Sequence, residues 1–142
     1  MILVVDASVA IKWFLHFKAE EQYSAHALKI LEESVSGRLK LYQPPHFVAE
    51  MAAVLARANP AQALLNLRDL LNTEFHSVED SELFYVATEL ATRLDHHLFD
   101  TLYHAVALKT QGAVLVTADR RYYDKAWREG QIVMLADWSL SG

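Results

Sequence analysis

The sequence predicts an α/β protein with a three-layer α/β/α arrangement around a mostly parallel sheet of about five strands. Short apolar runs of strand character recur five times, amphipathic helical stripes lie between them, and 53% apolar with 22% charged residues in 142 is the balance of a globular chain. Residues 2–5 form the first strand. Tyr23, Ala27, Ile30 and Leu31 then mark a helical stripe, followed by a second strand at 39–43. Two further stripes, Phe47, Met51, Val54 and Leu55, then Leu64, Leu67 and Leu71, lead to a third strand at 75–78. Leu83, Val86, Ala87, Leu90 and Leu94 define the next helix, and Phe99, Leu102, Ala105, Val106 and Lys109 the one after it. Strands at 113–117 and 132–135 complete the set. Alternation of this kind implies right-handed crossovers with helices on both sheet faces.

One domain spanning 1–142 is expected, because no repeat, low-complexity tract or Gly/Ser-rich linker divides the chain. Cysteine is absent, which removes disulfides and thiolate metal sites and suits a reducing compartment; the cytoplasm is the expected location. The apolar start ends at Asp6, too soon for a signal segment or a membrane span. The formal net charge of -5 argues against a large basic nucleic-acid surface, less so if several acids gather around a cation. The apolar content is slightly high for a freestanding monomer, as expected of a chain that covers a partner surface.

Four acids are placed together by this topology. Asp6 follows the first strand, and Asp119 follows the fourth at the same edge if the two are parallel. Glu50 lies early in the helix leaving the second strand through Pro44-Pro45, and Asp100 opens the helix that feeds the fourth strand. All four converge on the carboxyl edge, where parallel α/β sheets bind ligands. Two unit charges about 5 Å apart repel by roughly 3 kcal/mol at an effective dielectric near 20, so the group calls for a cation or for protonation. Oxygen donors without cysteine favour a hard ion, Mg²⁺ or Mn²⁺, over zinc. The chemistry this suggests is metal-assisted hydrolysis with a metal-activated water. Taken singly, Asp6 and Asp119 could be helix N-caps and Asp100 a complement to a helix dipole; it is their joint position that singles them out.

At these positions the sequence resembles the PIN-domain ribonucleases, and within them the toxins of VapBC-type toxin–antitoxin pairs. The resemblance rests on four motifs spread over nearly the whole chain: Val5-Asp6-Ala7-Ser8-Val9-Ala10-Ile11-Lys12-Trp13-Phe14; Gln43-Pro44-Pro45-His46-Phe47-Val48-Ala49-Glu50; Leu98-Phe99-Asp100-Thr101-Leu102-Tyr103-His104-Ala105; and Leu115-Val116-Thr117-Ala118-Asp119-Arg120-Arg121. It implies a Mg²⁺- or Mn²⁺-dependent endoribonuclease, a VapB-like antitoxin partner and frequent homodimers. Asp6 and Asp100 would be the principal metal ligands, with Glu50 and Asp119 completing the pocket directly or through water. Ser8 and Thr117 would orient carboxylates or water. Two departures are Phe99, where the family more often has Tyr, and His104, where it has a small or apolar residue.

Lys12, Arg120 and Arg121 are the nearest candidates for RNA phosphate contacts. His46 and His104 stand four residues from Glu50 and Asp100 respectively, and both read first as solvated or structural, as do His96 and His97. Trp13, Phe14 and Phe17 read as core or, if exposed, as a docking patch. The competing readings are a catalytically inactive PIN-like module that binds RNA or protein, an aspartyl phosphatase or receiver, and a Rossmann domain. Retention of all four acids disfavours the first. Ser8, where a phosphatase would carry a second Asp, disfavours the second, and the lack of a Gly-rich turn after strand one disfavours the third.

Overall fold

The computed structural model describes residues 1–140; positions 141 and 142, part of the single-domain expectation, lie outside the described residues. The chain runs β1 (Ile2–Val5), α1 (Ala7–Ala10), α2 (Lys12–Leu15), α3 (Ser24–Val35), β2 (Lys40–Gln43), α4 (Phe47–Ala58), α5 (Ala63–Leu71), β3 (His76–Ser77), α6 (Ser81–Leu94), α7 (Leu98–Lys109), β4 (Ala113–Thr117), α8 (Arg120–Ala126) and β5 (Ile132–Met134). The five strands form one sheet in the order β3-β2-β1-β4-β5, and every pairing is parallel. β1 is central and buried from Leu3 to Val5, as a strand covered on both faces should be.

Strand order reverses beside β1: successive strands extend one way to β2 and β3 and the other way to β4 and β5. The register Val5↔Val116 brings the carboxyl ends of β1 and β4 level. Asp6 and Asp119 therefore emerge side by side at the switch point, where the diverging connections leave a crevice. Between β1 and β2 a side chain takes over the ladder. Backbone pairing covers Ile2↔Lys40 and Leu3↔Leu41, after which the buried Gln43 amide accepts from Val5 N–H and donates to Val5 O, each at 2.9 Å.

Local chemistry explains most boundaries. α6 starts on Asp80, whose side chain accepts from Leu83 N–H, and β4 is entered through Gly112 at φ 80, a left-handed position that suits glycine. Three expectations change. β3 is shorter than residues 75–78. Tyr23 precedes α3 in a left-handed conformation and is exposed. On α5 the inward face is Ala63, Leu67 and Leu70, leaving Leu64 82% exposed and Leu71 outside as well. The helix starts at Ala63 and packs against α4, with 63/67/70 as its core-facing side.

His104 is buried in α7. Its Nε2 donates to Gly130 O and its Nδ1 accepts from the Tyr122 hydroxyl, both at 2.8 Å, and burial lowers its pKa, so it is a neutral structural residue. Tyr122→Phe, which leaves Nδ1 unpaired, is expected to lower stability by about 1–2 kcal/mol, read as a thermal midpoint several degrees lower.

Candidate metal centre

Asp6 is held by its own turn. Its Oδ2 accepts from Ser8 N–H at 3.0 Å and from the Ser8 hydroxyl, and that hydroxyl in turn accepts from Ala118 N–H at 3.0 Å. Ser8 thus ties the end of β1 to the loop after β4. Burial, and secondarily the charges of Asp100 and Glu50, raise the Asp6 pKa from 3.8 to about 7, against the lowering effect of the Ser8 bonds. Burial, the largest cause, disfavours the charged form of this carboxyl.

Asp119 caps α8 by accepting from Tyr122 N–H at 3.1 Å, and its own N–H donates to the buried Thr117 hydroxyl at 3.0 Å. Asp6 and Asp119 are therefore both N-caps. Each cap uses Asp6 Oδ2 or Asp119 Oδ1 as acceptor, and every carboxylate has a second oxygen. Glu50, on the first turn of α4, accepts from the Tyr103 hydroxyl at 2.5 Å across 53 residues of sequence. Tyr103 is fully buried in α7. Burial first, and the nearby Glu50 charge second, hold its phenol pKa far above the usual value, so it remains a donor.

Asp100 is the common member of the group. It shares an electrostatic environment with Asp6, and one donor atom each from Asp100, Asp119 and His96 lie within 4.8 Å of one another. His96 Nε2 donates to Asp100 Oδ2 at 2.7 Å. Nothing in the order of residues distinguishes His96 from His97. Its placement follows from Asp95, which adopts φ 51 and ends α6, with Asp95 N–H donating to Thr92 O and His96 N–H to Ala91 O. That closure delivers His96 against Asp100. The donor set of carboxylate oxygens with one imidazole fits a divalent cation, and the elevated Asp6 pKa is consistent with that fit.

The basic candidates separate. Lys12, expected near phosphate, is instead only 6% exposed, and its ammonium pairs with Glu21 at 2.9 Å. The reason is the turn between α2 and α3, which folds Glu21 back over it. Arg120 is exposed, lying over the Tyr123 ring and 3.7 Å from Asp124. Arg121 lines an open cleft of about 400 Å³ with His96, His97 and Lys125, next to the carboxylates. A second cleft, of about 350 Å³, is bounded by Glu50, His97, Leu98, Phe99 and Asp100. Phe99 is 59% exposed there and stacks on His46 at 5.1 Å. His46 Nε2 stands 3.8 Å from Glu50, and burial lowers its pKa. Trp13 is core, its indole N–H donating to Ala27 O, whereas Phe17 is exposed.

The family model of the PIN domain matches residues 3–128. The chain belongs to the PIN-domain family. No curated protein sequence matches it. Solved structures share the PIN fold over nearly the full length. VapBC2 of Rickettsia felis, solved bound to a promoter DNA fragment, aligns with TM-score 0.66 at 14% identity, covering 94% of this chain and 97% of that one. PAE2754 of Pyrobaculum aerophilum gives 0.65 at 21%, covering 96% and 90%, and VapBC-1 of nontypeable Haemophilus influenzae 0.65 at 17%, covering 96% and 100%. At these identities the likeness establishes the fold. No helix among the described residues is long and apolar enough to cross a membrane.

Proposed function

We propose that this PIN domain, residues 1–142, is a divalent-metal-dependent endoribonuclease and the toxin of a toxin–antitoxin pair. The observation that carries the reading is the convergence of Asp6, Glu50 and Asp100 in one electrostatic environment, with Asp119 and His96 beside Asp100. A divalent cation bound there would acidify water and neutralise charge on the scissile phosphate. The protein's own groups do the rest. Ser8 and Thr117 fix the backbone and carboxylate on either side of the switch point, and Tyr103 fixes Glu50. Arg121 and Lys125 offer positive charge at the adjoining cleft, and the exposed ring of Phe99 offers a stacking face to an unpaired base.

VapBC structures among the neighbours support a VapB-like antitoxin as partner. Exposed Leu64, Leu65 and Leu71 on α5 and Phe84 and Tyr85 on α6 supply apolar area suited to a homodimer or an antitoxin segment. As a toxin acting on the cell's own RNA, with no cysteine in the chain, it would work in the cytoplasm.

Purified protein incubated with structured RNAs and Mg²⁺ or Mn²⁺ is expected to cut them. Chelator should stop cleavage, and Asp100→Asn should lower the rate by about 10²–10³-fold, the scale of losing one electrostatic stabiliser. Cleavage that survives chelation or the substitution would overturn the metal assignment. Absence of cleavage with any metal would favour the inactive binding module.

A further inference from the structure

We propose that His96 is a direct ligand of the cation through Nε2, and that with Asp100 and Asp119 it forms an imidazole–dicarboxylate position that prefers Mn²⁺ to Mg²⁺. The inference rests on the metal-dependent reading above and adds to its acids a residue that the four-carboxylate pattern does not contain.

Position is the first argument. The His96 side chain is 5% exposed, yet it lies in the short connection between α6 and α7. Two features hold it there: the left-handed closure at Asp95, and the edge-to-face contact of its ring with Tyr122 at 4.9 Å. The backbone N–H of that same Tyr122 fixes Asp119. One residue therefore sets the relative placement of two of the three donors, and the third, Asp100, is already 2.7 Å from Nε2.

Dimensions are the second. Ligands about 2.1 Å from an ion stand about 3 Å apart when adjacent and about 4.2 Å apart when opposite. The three donor atoms lie within 4.8 Å of one another, near the span that one ion's ligands occupy, so the separations need shorten by about 2 Å at most to close on an ion. Nε2 now donates its proton to Asp100 Oδ2; as a ligand, the neutral ring carries that proton on Nδ1 and presents the Nε2 lone pair.

The other histidines lack this arrangement. Both His104 nitrogens are engaged, by Tyr122 and Gly130. Both His46 nitrogens are buried without a hydrogen bond, its ring packing against Phe99 and Tyr103. Donor chemistry gives the selectivity. Mg²⁺ favours oxygen ligands and water, whereas an imidazole nitrogen favours first-row transition ions. The all-oxygen expectation from sequence is thereby shifted toward Mn²⁺.

The test binds Mn²⁺ to the full-length protein and reads nitrogen hyperfine coupling by pulsed electron paramagnetic resonance. Affinities for Mn²⁺ and Mg²⁺ are measured by calorimetry for the wild type, His96→Gln and Asp100→Asn. The wild type should show directly bound imidazole nitrogen. His96→Gln should lose that signal and about tenfold in Mn²⁺ affinity, with a change under about threefold for Mg²⁺. In case His96→Gln fails to fold, ¹⁵N NMR of the wild-type histidine rings with diamagnetic Zn²⁺ reads the same point: the proton on Nδ1 and the ion on Nε2 of His96. Mn²⁺ binding without nitrogen coupling, coupling that persists in His96→Gln, or an unmoved His96 ring in the Zn²⁺ spectra would overturn the proposal and leave the carboxylate centre standing. If the wild type bound no ion, or Asp100→Asn bound it equally well, the metal-dependent reading would fall and this proposal with it.

Discussion

Asp6→Asn should abolish measurable RNA cleavage while making the metal-free protein more stable above pH 7. The two effects have one origin. Burial raises the Asp6 pKa to about 7 from an unfolded value near 3.8, so the folded state takes up a proton between those limits. The contribution of this group to metal-free stability is therefore greatest below about pH 4, declines as pH rises, and settles at its lowest above about 7. Asn keeps the acceptor for Ser8 N–H without the charge, and the gain at pH 8 is of order 2–4 kcal/mol. A cation competes with the same proton, so wild-type metal affinity should rise up to tenfold per pH unit toward pH 7 and then level off. Thermal melts at pH 5, 7 and 8, with and without Mn²⁺, separate the effects. A wild type with pH-independent metal affinity, or an Asn variant destabilised at pH 8, would contradict this account.

Gln43→Leu should lower stability by about 3 kcal/mol, a thermal midpoint about 10 °C down. Leucine fills similar space but leaves the buried N–H and C=O of Val5 without their side-chain partner. Asp6 follows directly in sequence, so metal affinity should fall as well. Denaturation and metal titration on one sample check both. Loss of stability alone would mean that the Ser8 turn holds Asp6 without help from β2.

The contrast between these two residues shows what sequence can disclose. Asp6 was legible because apolar runs at both β1 and β4 end in an acid, and parallel pairing of such strands leaves little choice about where those acids lie. Gln43 was not, since nothing local says that an amide replaces a ladder rung. His96 depends on a left-handed Asp95, a conformation that glycine usually signals. The pairing of Lys12 with Glu21 forms across a turn between helices, and the Tyr103 hydroxyl meets Glu50 across packed helices; neither has a local signal. The apolar face of α5 has no unique local signal, since several leucine spacings are possible and packing on the core selects among them. Topology was readable; pairings that arise after packing were not.

The Ser8 hydroxyl spans 110 residues of sequence to reach Ala118 N–H, and β1 can take its place at the centre of the sheet only after β4 exists to flank it. On a ribosome, the first acid therefore emerges long before the last, and a growing chain lacks the means to join them until β4 has been made. For a nuclease whose proposed target is RNA, late closure is a safeguard during birth: the site stays incomplete until β4 and Asp119 have emerged, and the interval in which a partner can capture the folded site begins only then.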